Sequence, residues 1–199
     1  MKAFYRWCVM NSKDVTGVIL CGGKSQRMGF DKALIHFKGH YVLEETAMSL
    51  KKIFPNVLLV TDHKRKFPAQ LLANHVFLED EFMQKGPLGA LVTALRHIDT
   101  PYLFLVACDI PSITVTKIRC LLESVEDEQV ILFSSEKLET LFAFYHRSCL
   151  SQFEKQLATD NGKIRTAFDC LDVKKVKKKN IDIVNINYPE ELIYWRQND

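Results

Sequence analysis

Apolar residues fall along this chain in short blocks of two kinds. Thr16 to Leu20 is a β-branched run closed by glycines, which predicts a buried strand. Val42 to Phe54 repeats at intervals of three and four, with Leu43, Ala47, Leu50 and Phe54 on one side, which predicts a helix stopped by Pro55 and Asn56. Val57 to Val60 is again fully apolar and strand-like. A short helix over Pro68 to Ala73 and a strand over Val76 to Leu78 follow. After the acidic stretch EDEFMQKGPLG, taken as a flexible loop, comes a helix carrying Leu88, Leu91, Val92, Leu95 and Ile98. Pro101 opens a strand over Tyr102 to Ala107. A helix over Val115 to Ser124 and strands over Val130 to Phe133 and Leu141 to Tyr145 come next. Helices near 148–158 and 163–171, a strand at 181–185 and a last helix from Pro189 complete the pattern.

Strands alternating with helices over short connections predict an α/β fold: a mostly parallel sheet with helices on both faces, three layers in all. No repeat and no Pro/Gly/Ser-rich linker divides the chain of 199 residues. The reading is therefore an extension over residues 1–15, loosely packed, and a single domain over 16–199.

Composition narrows the class. Hydrophobic residues are 47% and charged residues 26%, the balance of an ordinary globular protein. A net charge of +3 is too small to argue for a nucleic-acid partner but suits small phosphorylated ligands. Six cysteines without a C-x-x-C pair predict reduced, mostly buried thiols, and six histidines without zinc-site spacing predict no structural zinc. No run reaches the roughly 18 apolar residues of a spanning helix, and the N-terminus lacks the apolar core of a signal peptide, so a cytoplasmic protein without a membrane partner is expected. The run Lys174 to Lys179 reads either as a solvated face or loop, or as a basic rim that attracts an anionic substrate or partner.

The stretch VILCGGKSQRMGFDK, residues 18–32, holds the first candidate chemistry. Its Gly23-Lys24-Ser25 imitates the end of a P-loop. A true P-loop needs glycine five positions before the last glycine, where Val18 stands within the strand, and Gly17 comes one residue too early. The dinucleotide pattern G-x-G-x-x-G fails too, since Gly22 and Gly23 are adjacent and position 26 is Gln. What remains is a strand that enters a loop at the carboxyl edge of a parallel sheet, where such sheets bind ligands. Glycines at 22 and 23 leave backbone N–H groups open to phosphate oxygens. Lys24, Arg27 and Lys32 add positive charge; Arg27 offers a planar fork and Lys32 a point charge.

Two further segments fall at the same edge. Asp109 ends an apolar strand in Cys108-Asp109-Ile110-Pro111, either to hold Mg²⁺, which takes few protein carboxylates and fills its sphere with phosphate and water, or to cap the following turn. Glu79-Asp80 with Gly86-Pro87-Leu88-Gly89 leads into a helix N-terminus, where backbone donors can meet a base or phosphate; the plainer reading is a Pro-initiated helix start.

Together these segments resemble a known family. Leu-Cys-Gly-Gly-Lys-Ser-Gln-Arg-Met-Gly-Phe-Asp-Lys at 20–32 is similar to the first signature of the molybdenum cofactor guanylyltransferases. Leu78-Glu79-Asp80, Gly86-Pro87-Leu88, Cys108-Asp109-Ile110-Pro111 and Asn185-Ile186-Asn187-Tyr188-Pro189-Glu190-Glu191-Leu192 follow in family order, so the likeness covers almost the whole chain from residue 16. It implies a Rossmann-like nucleotidyltransferase fold. It also implies transfer of GMP from GTP to the terminal phosphate of molybdenum-molybdopterin, with release of pyrophosphate. By resemblance, Leu20, Cys21, Gly22 and Gly23 meet the nucleotide, the first three by backbone at the guanine. Arg27 and Lys32 hold the triphosphate, Thr61 and Asp80 lie near base and ribose, and Gly86, Pro87 and Leu88 complete the GTP site. Asp109 binds Mg²⁺ and, with Arg27 and Lys32, forms the catalytic set; Asn185 and Asn187 belong to the pterin side. A cofactor-delivery protein or molybdoenzyme chaperone is the implied protein partner.

The chain departs from the family pattern at Cys21 (usually Ala), Tyr41 (Pro), Glu139-Thr140 (Gln-Pro) and Tyr188 (Thr). The last two touch acceptor recognition more than nucleotide binding. An already ionised acceptor phosphate needs no strong general base, so the reaction reduces to alignment and charge neutralisation. Two other readings stand beside this one: a CTP-using molybdopterin cytidylyltransferase or other small-molecule nucleotidyltransferase, and a non-catalytic GTP-binding module.

Overall fold

The computed structural model describes residues 10–22, 31–37, 40–110, 113–134, 137–159, 161–177 and 183. In chain order the elements are β1 (Val15–Leu20), β2 (His36–Phe37), β3 (His40–Tyr41), α1 (Val42–Lys51), β4 (Asn56–Thr61), α2 (Ala69–Asn74), β5 (Val76–Glu79), α3 (Gly86–His97), β6 (Tyr102–Ala107), α4 (Val115–Leu122), β7 (Val130–Ser134), β8 (Leu138–His146), α5 (Leu150–Leu157) and β9 (Val173–Val176).

The main sheet has the order β5-β4-β1-β6-β8-β7-β9. Pairing is parallel except along β8, which runs against both β6 and β7. Every residue of β1 and β6 is buried, because helices cover both faces of these central strands. On one face Val15 and Ile19 pack with Leu43, Ala47, Leu50 and Phe54 of the α1 region and with Leu71, Ile118 and Leu121. On the other, Val18 and Leu20 pack with Leu88, Leu91, Val92 and Leu95 of α3 and with Phe153 and Leu157 of α5. Alternate β1 side chains thus serve opposite layers, as a strand of period two must. Phe104 joins the first layer to β8, with its ring 4.9 Å from both Phe142 and Phe144. Each such buried side chain contributes about 1.5–3 kcal/mol of apolar burial.

Several boundaries differ from the sequence reading, each for a local reason. The first predicted helix ends at Lys51, but a further turn, closed by Phe54 N–H on the Leu50 carbonyl at 2.8 Å, still brings Phe54 into the core. The first turn of α3 takes up Gly86 to Gly89, which had been counted with the loop. Strand β8 starts at Leu138, because β7 pairs its early residues across a bulge. The segment expected as a helix over 163–171 is a 3₁₀ helix, Ile164–Cys170.

Of the basic run, Lys174 and Lys175 lie in β9, an edge strand parallel to β7, with Lys175 exposed as on a solvated face; Lys178 and Lys179 lie outside the described residues. Lys174 pairs with Glu126 at 2.9 Å and Glu128 at 2.8 Å. Lysines on an edge strand also discourage pairing with another sheet. The extension is shorter than 1–15 as well: Asn11 caps a 3₁₀ turn over Ser12–Asp14, and Val15 is a fully buried residue of β1. The strand expected at 181–185, Ile183 apart, and the helix from Pro189 lie outside the described residues. Among the described residues, no helix is long and apolar enough to cross a membrane.

Candidate active site

Parallel strands deliver their carboxyl ends to one edge, and there β1, β4 and β6 open a cleft of about 740 Å³. The ladder continues one residue past each strand. Cys21 N–H bonds the Val60 carbonyl at 2.8 Å, Cys108 N–H the Leu20 carbonyl at 3.0 Å, and Asp80 N–H the Thr61 carbonyl at 2.7 Å. The exits of four strands are thereby held in register before any side chain acts. Gly22 sits so close to β4 that a Cβ there would lie 2.8 Å from the Asp62 nitrogen, so only glycine fits without displacing backbone.

Lys32 and Asp109 face each other across the cleft. Lys32 Nζ lies 2.8 Å from Asp109 Oδ2, and each side chain is only 17% exposed. Lys32 opens a 3₁₀ turn, Lys32–Leu34, capped by the Asp31 side chain on Ala33 N–H at 2.9 Å. The second carboxylate oxygen, Asp109 Oδ1, is buried and has no hydrogen-bond partner among the described residues. A buried oxygen left in this state is costly unless a ligand satisfies it. The donor set suits Mg²⁺, a hard cation that uses one or two carboxylates and takes its remaining oxygens from phosphate and water. Among the described residues no group of three or more His, Cys, Asp or Glu could hold a metal ion.

Asp80 is held from below. Its Oδ1 accepts from Phe82 N–H at 2.9 Å and from the Thr93 hydroxyl at 3.0 Å. Burial raises its carboxyl above the ordinary range and outweighs those bonds. The segment after it is braced by Arg96, whose guanidinium reaches Glu81 at 2.7 Å and Glu154 at 2.6 Å and lies over the Phe82 ring. This segment turns through a left-handed backbone at Gln84 and again at Gly86. It places Met83, 55% exposed, and Gln84 on the cleft.

Gly89 sets how closely α3 approaches the segment. Alanine in a helix normally gains about 1 kcal/mol over glycine. Here a Cβ would lie 2.7 Å from the Phe82 carbonyl oxygen and 3.0 Å from Phe82 Cβ. Backbone cannot yield as a side chain can, so Gly89→Ala should destabilise by about 1–3 kcal/mol and shift Asp80. Urea unfolding measures this; a stability gain of the ordinary helical size would refute the close contact.

Leu20, Cys21, Gly22, Lys32, Thr61, Asp80, Gly86, Pro87 and Asp109 all line the cleft. Leu88 does not: its side chain is wholly buried between α3 and the sheet, because helical geometry turns it inward while Pro87 faces out. Thr61 is present, but its buried hydroxyl lies 3.0 Å from Asp62 Oδ1 and 3.4 Å from the Cys21 carbonyl, so its one proton is directed to acceptors within the protein. Gly23, Arg27, Asn185 and Asn187 lie outside the described residues. Asp31, Asp62, Met83 and Gln84 line the cleft without having been singled out from the sequence. Asp62 had a usable signal, since it follows a buried strand just as Asp109 does. Cys21 and Cys108 are no nucleophiles: burial pushes the Cys21 thiol well up and the Cys108 thiol to about 12.

The family model of the MobA-like NTP transferase domain matches residues 17–175, which contain every element from β2 to α5, all but the first two residues of β1 and all but the last residue of β9. The chain belongs to this family. It is 31% identical over 188 residues to the probable molybdenum cofactor guanylyltransferase of Clostridium perfringens strain 13, covering 88% of this chain and 93% of that protein. It is 28% identical over 193 residues to the molybdenum cofactor guanylyltransferase of Syntrophotalea carbinolica, covering 92% and 90%. The crystal structure of molybdopterin-guanine dinucleotide biosynthesis protein A from Archaeoglobus fulgidus has the same fold, with a TM-score of 0.76 at 21% identity, covering 92% of this chain and 97% of that one. The family's sheet is thus the one seen here, and the cleft lies at its carboxyl edge.

Proposed function

We propose that this family member is a molybdenum cofactor guanylyltransferase. It transfers GMP from GTP to the terminal phosphate of molybdenum-molybdopterin, releases pyrophosphate and forms the guanine dinucleotide cofactor. The observation that carries the reading is the Lys32–Asp109 pair with its orphaned Oδ1, set in a cleft at the carboxyl edge of a parallel sheet. Relatives named for this activity align over nearly the full chain, which supports the same substrates here.

In this reading the backbone at Leu20 to Gly22 meets the guanine, and Asp80 lies beside base and ribose. Lys32 turns its ammonium from Asp109 to the triphosphate once Asp109 has another cation to hold. Arg27 contributes a second positive charge to the triphosphate, and Asn185 and Asn187 contact the pterin. Asp109 would hold Mg²⁺, which supplies neutralisation of the charge that grows on the departing pyrophosphate. The acceptor phosphate arrives ionised, so the chain needs to align it with the α-phosphorus rather than deprotonate it. The reading places the enzyme in the cytoplasm, passing its product to a molybdoenzyme chaperone or directly to a molybdoenzyme.

Thermal unfolding with GTP, CTP, ATP and UTP, each with and without Mg²⁺, tests nucleotide choice. A ligand at 100 times its dissociation constant stabilises by about 2.7 kcal/mol, or roughly 5–11 °C for a chain of this size. The expected result is a shift of that order for Mg²⁺ with GTP alone. A shift for CTP instead would move the enzyme to the cytidylyl class.

A further inference from the structure

We propose that Lys66 is a positioning residue that keeps Lys32 aimed at the cleft by clamping Asp31. This deepens the nucleotidyl-transfer reading and rests on it for the role of Lys32.

Lys66 does not itself line the cleft, but both of its partners do. Its Nζ lies 2.7 Å from Asp31 Oδ2 and 2.8 Å from Asp62 Oδ1. Asp31 caps the turn that begins with Lys32: its Oδ1 accepts from Ala33 N–H at 2.9 Å, and its carbonyl accepts from Leu34 N–H at 3.0 Å. Asp31 therefore cannot move without Lys32 moving, and Lys32 reaches Asp109 from that turn. The other end of the clamp is fixed to β4. Asp62 Oδ1 also accepts from His63 N–H at 3.0 Å, and Gly22 presses against the Asp62 backbone. Phe67, next to Lys66, is buried with its ring 4.7 Å from Phe77, so the clamp stands on the core.

Charge explains why a cation is needed at this point. Among the described residues Lys66 is the cation that stands between Asp31 and Asp62, and without it their two like charges would repel across a half-buried gap. Burial would lower the Lys66 ammonium, but its ion pairs with Asp31 and Asp62 more than offset that and hold it above its ordinary value. Burial would likewise raise Asp62, and Lys66 reverses it. An ordinary exposed ion pair would be expected to contribute little. This one is a three-membered network with a largely buried ammonium at its centre, and it joins the capped turn at Asp31 to the exit of β4.

The test is a double-mutant cycle read as the dissociation constant of the Mg²⁺-nucleotide, using the full chain and wild type, Lys66→Met, Lys32→Ala and both together. Lys66→Met should weaken binding about tenfold, the size of coupling within one ion-pair network. In the Lys32→Ala background the same change should have an effect of less than about twofold, because its target is already gone. Lys66→Arg should recover most of the affinity. Asp31→Asn, which keeps the turn cap but removes the charge pair, should reproduce Lys66→Met and serves if that variant folds poorly. Equal losses with and without Lys32, or unchanged affinity in Lys66→Met or Asp31→Asn, would overturn the proposal. The cycle is run with whichever nucleotide wild type prefers. A wrong base preference then counts against guanylyl transfer alone, whereas additivity counts against Lys66.

Discussion

Asp109→Asn is expected to lower turnover roughly 100- to 1,000-fold, the usual cost of removing one group that stabilises transition-state charge in a closed site. The reason is local. Asp109 presents two oxygens, one paired with Lys32 and one buried and unpartnered. Asparagine keeps the shape and loses the charge, so the site can no longer attract a hard cation while the sheet edge stays intact. The same substitution removes the carboxylate charge that faces the Lys32 ammonium. Metal-free GTP should therefore bind at least as tightly as to wild type, while the Mg²⁺ dependence of binding disappears. Pyrophosphate release with GTP and the pterin acceptor gives the first quantity, and calorimetry with and without Mg²⁺ the second. Wild-type turnover in the variant would remove Asp109 from the reaction. Weaker metal-free binding would mean that Lys32 and Asp109 do not compete for each other as the 2.8 Å contact indicates.

Lys32→Ala is expected to weaken GTP binding by about 1.5–3 kcal/mol, roughly ten- to hundredfold, the range of a charge-assisted hydrogen bond. The lower half of that range is the better expectation in the absence of Mg²⁺. Lys32 must then give up Asp109 to reach phosphate, and the exchanged contact offsets part of the gain. With Mg²⁺ present the loss should move to the upper half, because Asp109 no longer holds the ammonium. The variant should also lose stability without ligand, since a carboxylate that is 17% exposed is left without its counter-charge. An unchanged GTP dissociation constant with Mg²⁺ present would exclude Lys32 from the triphosphate. A loss that does not depend on Mg²⁺ would separate it from Asp109.

Much of the architecture was legible because the signals were local. The strands ending at Leu20 and Ala107 are apolar runs stopped by glycine or by Cys-Asp, and hydrophobic period alone locates them. The α3 face from Leu88 to Ile98 follows from its spacing. That Asp109 stands beyond a buried strand follows from the same pattern. The short edge strand β9 was not legible. Its residues are Val173-Lys174-Lys175-Val176, and lysines read as solvent-facing until a partner is known. Pairing with β7 and ion pairs to Glu126 and Glu128 supply what the segment lacks by itself. At Leu88 the motif says nothing of side-chain direction, and helix geometry turns that side chain into the core.

By itself, then, the sequence determined the α/β class, the order of most elements and the sheet edge at which the chemistry gathers. These depend on periodicity and on where apolar runs stop, and both are properties of neighbours along the chain. Tertiary structure alone decided that Lys32 pairs with Asp109, 77 residues away, leaving Oδ1 unpartnered, and that Lys66 draws Asp31 and Asp62 together. The Lys32–Asp109 and Lys66–Asp31 contacts join turns that follow different strands, whereas Asp62 and Lys66 are only four residues apart. The two longer contacts exist only after the order β5-β4-β1-β6 has brought those strands side by side, and no local pattern encodes the distance across them.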